Sequence, residues 1–246
     1  MDRMIYTAMT GAKHILEQQT TTAHNLANST STGFKAQIDS FRAVPIVSSG
    51  LNTRTFVVDA TVGTDFTPGP IQATNRDLDV AIQGKGWLAV QRADGSEGYT
   101  RNGSLKVNEN GVLQTESGLS VLGDSGPITI PPDVRIAIGK DGTISSFQTL
   151  TAPGPANTVG RLKLVSPDEG NLVRASDGLF VTQDGSQVTA DPNVAVTSGA
   201  LEGSNVNVID TMVNMISLQR QFDTQMKLLQ SAENNAEKAN QIFGLS

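Results

Sequence analysis

At 246 residues with a net charge of −6, the chain is long enough for one large domain or two modest ones, and its 18 Lys and Arg are scattered singly. Without a basic cluster to neutralise phosphates, nucleic acid is excluded as a partner and an anionic membrane surface is disfavoured. The absence of Cys excludes disulfide staples, thiolate metal sites and a Cys nucleophile, while 37 % hydrophobic residues, one Trp and 24 Gly predict a lean core with many tight turns.

The first eight residues lack the long apolar run of a cleavable secretory signal, and no stretch approaches the roughly 18 apolar residues that span a bilayer. The expectation is a chain without membrane insertion that, if exported, travels without a cleaved signal. Ile5, Ala8, Ala12, Ile15, Gln19, Thr22 and Leu26 recur at alternating spacings of three and four, which predicts a helix with a heptad stripe. Gln19 and Thr22 weaken that stripe, so the helix needs a partner. It should end near Asn28, because Ser29-Thr30-Ser31-Thr32-Gly33 is a turn composition.

Residues 33–74 are polar and read as an extended arm or long hairpin, closed by Pro68-Gly69-Pro70. Beyond them the pattern changes. Asp94-Gly95, Asn102-Gly103, Asn110-Gly111, Asp141-Gly142, Asp177-Gly178 and Asp184-Gly185 are hairpin-turn pairs at short intervals. Between them lie strand-like runs such as Trp87-Leu88-Ala89-Val90, Arg135-Ile136-Ala137-Ile138 and Arg161-Leu162-Lys163-Leu164-Val165. Residues 75–199 therefore read as a mainly antiparallel β domain.

A second helix follows. Val208, Met212, Met215, Phe222, Met226, Leu229, Ala236 and Phe243 keep the three-four rhythm, and Leu218, Ala232 and Ala239 form a second row. Asn207 is placed to cap it and Asp210 to favour its positive end. Two amphipathic helices thus flank one inserted β domain, an α+β plan. The helices either pair within one molecule or form a layer shared with other copies.

Chemistry is sparse. Gly123-Asp124-Ser125-Gly126-Pro127 is similar to the nucleophile loop of chymotrypsin-like proteases, and Thr22-Ala23-His24 to their histidine segment. His24, however, falls on an amphipathic helix rather than in a barrel loop, so a turn is the better reading. His14 and His24 lie ten positions apart and cannot face one metal. Asp77 and Asp79 read as turn or ladder-end carboxylates, the Asp-Gly pairs lack calcium-loop spacing, and Gly84-Lys85-Gly86 is no phosphate cradle. The chain is accordingly read as a non-enzyme with no catalytic, cofactor-binding or metal-ligating residues and no cofactor.

Asn25-Leu26-Ala27-Asn28-Ser29-Thr30-Ser31-Thr32-Gly33-Phe34-Lys35 carries a signature. It resembles the end of the first helix in flagellar axial proteins, the family of rod and hook subunits, with His24 where that pattern has Asn. Physically, Asn25 and Asn28 can bond backbone groups freed at a helix terminus, Gly33 permits a left-handed exit, and Phe34 anchors the departing chain. Asp77 to Trp87, Tyr99 to Ser104 and Gly199 to Val206 resemble further segments of the family in the right order. Within it the chain looks most similar to the proximal rod type, on Leu16-Glu17-Gln18-Gln19, Phe41-Arg42-Ala43-Val44-Pro45 and Gly86 to Gln91 among others. The distal rod type is the nearest competitor.

The resemblance implies a coiled-coil-like layer made by the terminal helices (residues 1–32 and 200–246), with residues 33–74 as an arm and residues 75–199 as the outer domain. It implies a structural subunit that assembles with its own copies and neighbouring rod proteins into a helical drive shaft crossing the periplasm. The flagellar type III apparatus would export it. The assembly seams would run along Ile5, Ala8, Ala12, Ile15 and Leu26, and along Val208, Met212, Met215, Phe222, Met226, Leu229, Ala236 and Phe243. A reading from another class is a secreted β-rich binding module with the helices as a stalk.

Overall fold

The structure, a computed structural model, describes residues 2–45, 55–132, 134–148 and 157–243. The fold is mixed α+β with antiparallel strand pairs, and the chain divides into two compact units. One gathers residues 1–29, 36–65 and 206–246; the other holds residues 30–35 and 66–205.

The first unit contains α1 (Asp2–Ala27), β1 (Gln37–Pro45), β2 (Thr55–Thr64) and, from the far end of the chain, α2 (Val208–Phe243). Hydroxyl residues are poor helix formers when they compete with the backbone. In α1, Thr10 and Thr20 resolve this by donating to the carbonyls of Tyr6 and Leu16, four residues back. α2 begins as its sequence predicts: Asn207 Oδ1 accepts from the backbone N–H of Ile209 at 3.0 Å and of Asp210 at 3.4 Å. Asp210 then sits in the first turn, where the helix dipole favours an acid. α1 packs along α2, with Gln19 bonded to Gln219 at 3.3 Å.

β1 and β2 form an antiparallel hairpin with a bulge between Ser40 and Phe41. The part of the expected arm at residues 46–54 lies outside the described residues.

The second unit is assembled from short strands. Its first are β3 (Ile71–Ala73), β4 (Val80–Gln83), β5 (Trp87–Gln91), β6 (Glu97–Thr100), β7 (Leu105–Val107) and β8 (Leu113–Thr115). β9 (Ser120–Gly123), β10 (Gly126–Pro127), β11 (Val134–Ile138), β12 (Thr143–Gln148), β13 (Asn157–Arg161) and β14 (Leu164–Val165) follow. β15 (Leu172–Arg174), β16 (Phe180–Thr182), β17 (Ala195–Ser198) and β18 (Ala200–Glu202) complete the set. The main sheet runs β15-β16-β6-β5-β9-β8-β7, with β10 on β9 and β14 on β5. β11-β12-β13 form a separate sheet, and β17–β4 and β18–β3 are two-stranded pairs.

β5 is central because both of its faces are apolar. Leu88 and Val90 enter the larger core beside Leu105, Val121 and Leu164, while Trp87 and Ala89 enter a smaller one with Tyr99, Val165 and Phe180. Phe66 closes the smaller core edge-on to Trp87, with ring centroids 5.8 Å apart at 87°. The Asp-Gly turns have a common mechanism. Asp94, Asp141 and Asp184 each accept from the backbone N–H two residues on and from its hydroxyl, at Ser96, Thr143 and Ser186. Those bonds hold all three carboxyls below the ordinary aspartate range.

One run departs from its reading. Arg161-Leu162-Lys163-Leu164-Val165 is not one strand: β13 ends at Arg161 and β14 starts at Leu164. Leu162 bridges Gly123 and Lys163 N–H donates to the Leu122 carbonyl, so the chain crosses from the three-stranded sheet to the main one between them. Alternation alone carries no information about which sheet a strand joins.

Candidate assembly surface

The least exposed residues of α2 run through Val208, Thr211, Met215, Leu218, Phe222, Gln225, Leu229 and Ala232, at strict three-four spacing. Leu218 and Ala232 are the buried ones. Met212 and Met226, chosen for the seam on apolar character, stand outside that row at 49 % and 47 % exposure. The sequence holds two overlapping apolar rows one position apart, and polar Thr211 and Gln225 occupy the one that is covered. On α1, Ala12, Ile15 and Thr22 are buried, and Ala8, Gln19 and Leu26 are half-buried. The side chains of Ile5, Ala236 and Phe243 lie outside the described residues.

Apolar surface remains open on both helices. Ile209, Met212, Val213, Ile216, Met226 and Leu228 on α2, and Tyr6, Met9 and Leu16 on α1, are exposed large hydrophobics. Single exposed apolar residues are ordinary; a concentration of them on two helices marks a surface meant to be covered.

The signature after α1 has a defined geometry. Asn25 pairs with the backbone of Gln37 through both of its amide groups: Nδ2 donates to the carbonyl at 2.8 Å, and Oδ1 accepts from the N–H at 2.9 Å. The side chain thereby takes the role of a neighbouring strand at the start of β1. Asn28 Nδ2 donates to the His24 carbonyl at 2.9 Å, satisfying one acceptor at the helix end. Gly33 has φ +67°, and a Cβ there would lie 2.3 Å from the Arg101 carbonyl carbon, so both conformation and space require glycine. Phe34 is buried under Arg174, whose guanidinium lies 4.5 Å from the ring centroid. Burial lowers the pKa of Arg174.

Sequence reasoning missed the feature that organises this region. Lys35 Nζ donates to Glu202 Oε1 at 2.7 Å and to the Thr67 carbonyl at 2.8 Å. Arg101 donates to Glu202 Oε2 at 2.9 Å, and the Gly69 N–H to Oε1 at 3.0 Å. Lys35 and Glu202 side chains are 0 % and 1 % exposed. One carboxylate therefore fastens three stretches of chain separated by more than thirty positions each. The Glu202 backbone carbonyl also accepts from the Gly33 N–H at 2.7 Å. The available signal was charged residues set within turn and strand segments, but nothing in their spacing pairs them.

The residues weighed for chemistry fall in structural roles. Ser125 sits in the turn between β9 and β10, and His24 in the last turn of α1. His14 lies 3.1 Å from Glu17. Asp77 pairs with Arg135 and Asp79 with Arg76, each at 3.4 Å. Among the described residues no group of three or more His, Asp or Glu side chains is gathered to hold a metal ion, and no helix is long and apolar enough to cross a membrane.

Two long terminal helices flank, in sequence, a unit built of antiparallel strand pairs. Residues 81–146 match the family described as flagellar hook protein FlgE/F/G D1 domain, and residues 197–242 that described as flagellar basal body rod FlgEFG protein C-terminal. The chain is 49 % identical over 256 residues to the flagellar basal-body rod protein FlgF of Escherichia coli (strain K12), covering 100 % of both chains. It is 46 % identical to FlgF of Salmonella typhimurium, again over 100 % of both. It is 28 % identical to the flagellar basal-body rod protein FlgG of Bacillus subtilis, covering 95 % of this chain and 96 % of that one. The chain belongs to the FlgF family of flagellar basal-body rod proteins.

Proposed function

We infer that this chain is a structural subunit of the flagellar basal-body rod, that it belongs to the proximal part, and that it catalyses no reaction. The observation that carries the assembly reading is the apolar surface left open on α1 and α2, including Ile209, Met212, Val213 and Ile216. Within one chain these helices cover each other along a single row, and the remaining apolar residues await neighbours. The paired helices act as a coiled-coil-like layer, shared with other copies and with neighbouring rod proteins. Such contacts join different faces of successive subunits, so they do not close, and a tube grows. Many distributed contacts of this kind suit a shaft that transmits torque. Residues 75–199 form the outer domain, and residues 33–74 an arm that stiffens the tube.

The location that follows is the rod where it crosses the periplasm, reached through the flagellar type III export apparatus. Electron microscopy of basal bodies from a strain lacking this chain tests the reading, with swimming scored on soft agar. Structures halted before the distal rod, with swimming lost, are expected. Intact rods with normal swimming would overturn it and move a secreted binding module to first place.

A further inference from the structure

Glu97 and Lys163 lie along the face of the main sheet that carries the smaller core. Strand alternation that turns Trp87, Ala89, Tyr99 and Val165 into the smaller core also sets Glu97 and Lys163 along the same face. Residues 183–190 cover that face without regular structure, and the Val188 N–H donates to Tyr99 Oη at 3.0 Å. At the edge of this cover lies a cavity of about 520 Å³, lined by Glu97, Leu122, Asp124, Lys163, Val188 and Ala190 among others.

Glu97 is the unusual member. Its side chain is 4 % exposed, and Oε2 has no hydrogen-bond partner. Lys163 Nζ lies 2.6 Å from Oε1, an ionic contact outside hydrogen-bond geometry, so neither oxygen has a donor in line. A buried carboxylate left in that state is costly, and a ligand carrying a charged donor relieves the cost.

We propose that this cavity binds a primary ammonium on an aliphatic stem, the chemistry of a lysine side chain, with Glu97 Oε2 as its acceptor. Charge selects a cation: Glu97 and the exposed Asp124 face one ammonium, that of Lys163, leaving one negative charge to balance. Shape selects the stem, because Leu122, Val188 and Ala190 provide apolar wall for methylene groups beside that acceptor. A free small amine and a lysine on a second copy share this chemistry. The inference is independent of the rod assignment, since it uses only residues within the second unit.

The test is amide NMR of the full chain titrated with Nα-acetyl-lysine methylamide, against the Nε-acetylated compound as an uncharged control. Saturable shifts at Gly123, Lys163 and Val188 are expected for the charged probe alone. Glu97→Gln should weaken binding about tenfold. Asp124→Asn, at an exposed position that leaves the fold intact, should weaken it several-fold and keeps the test valid if Glu97→Gln does not fold. Carbodiimide coupling then separates the sources. A cross-linked dimer through Asp124 identifies a second copy's lysine, and saturable binding without it identifies a free amine; both support the site. Equal shifts with the acetylated control, no saturable shift, or binding unchanged in Asp124→Asn means the cavity holds water only and overturns the proposal.

Discussion

Replacing Glu202 by alanine removes the acceptor that Lys35, Arg101 and the Gly69 N–H share, at 2.7, 2.9 and 3.0 Å. The two cations stay buried, where Lys35 also donates to the Thr67 carbonyl and Arg101 to that of Gly84. Removing one member of a buried ion pair costs about 3–5 kcal/mol, and the loss of one carboxylate to two cations points to the upper end, about 5 kcal/mol. Against a total stability of about 5–15 kcal/mol that is a large share. With a urea dependence of about 2 kcal/mol per molar, the midpoint should fall by about 2.5 M. The assay is urea unfolding of the full chain followed by fluorescence of Trp87, the only tryptophan. Its ring lies 5.4 Å from the Arg101 guanidinium and reports on this core directly. Lys35→Met is the informative comparison. It leaves Glu202 balanced by Arg101 alone, so its cost should stay below about 2 kcal/mol, closer to that of a lost hydrogen bond. If Glu202→Ala costs less than about 1 kcal/mol, or less than Lys35→Met, the reasoning from desolvated charge is refuted.

Other expectations bear on the helices, a turn and acid stability. Leu218→Asp places a charge at a buried α2 position and should destabilise the purified chain by several kcal/mol, on the order of 3. Met212→Asp, at an exposed one, should change stability by less than about 0.5 kcal/mol yet impair swimming, which thermal melts and soft-agar assays separate. Gly33→Ala meets both a positive φ and the Arg101 backbone, whereas Gly84→Ala, at φ +68° with nothing within 4 Å, meets only the first. Gly84→Ala should cost about 1–2 kcal/mol and Gly33→Ala distinctly more, as chemical denaturation will read. The carboxyls of Asp94, Asp141 and Asp184 have pKa values below the ordinary 3.8 when folded, so their contribution is present above pH 3.8 and fades as pH falls through the folded values. Acid titration of the triple Asn variant should show a shallower loss of stability below pH 3.8 than the parent.

Much of this protein was decided locally, and the sequence carries it. Heptad spacing sets α1 and α2, Asn207 and Asp210 set the start of α2, and the Asp-Gly pairs set hairpin turns at residues 94 and 141 and a tight turn at residue 184. These are short-range effects: a cap, a period or a positive φ is read within a few residues. The ordered motifs from Asn25 to Phe34 and from Gly199 to Val206 were enough to identify the family, because their spacing spans the chain. What only the tertiary structure decided depends on distant partners. The choice between overlapping apolar rows on α2 rested on what α1 presents, which put Thr211 and Gln225 in the covered row and left Met212 and Met226 open. The break of residues 161–165 between two sheets needed Gly123 as a partner, and the Glu202 carboxylate needed Lys35, 167 positions away. No periodicity records such pairings, since burial of a charge is settled by the strands and loops that close over it.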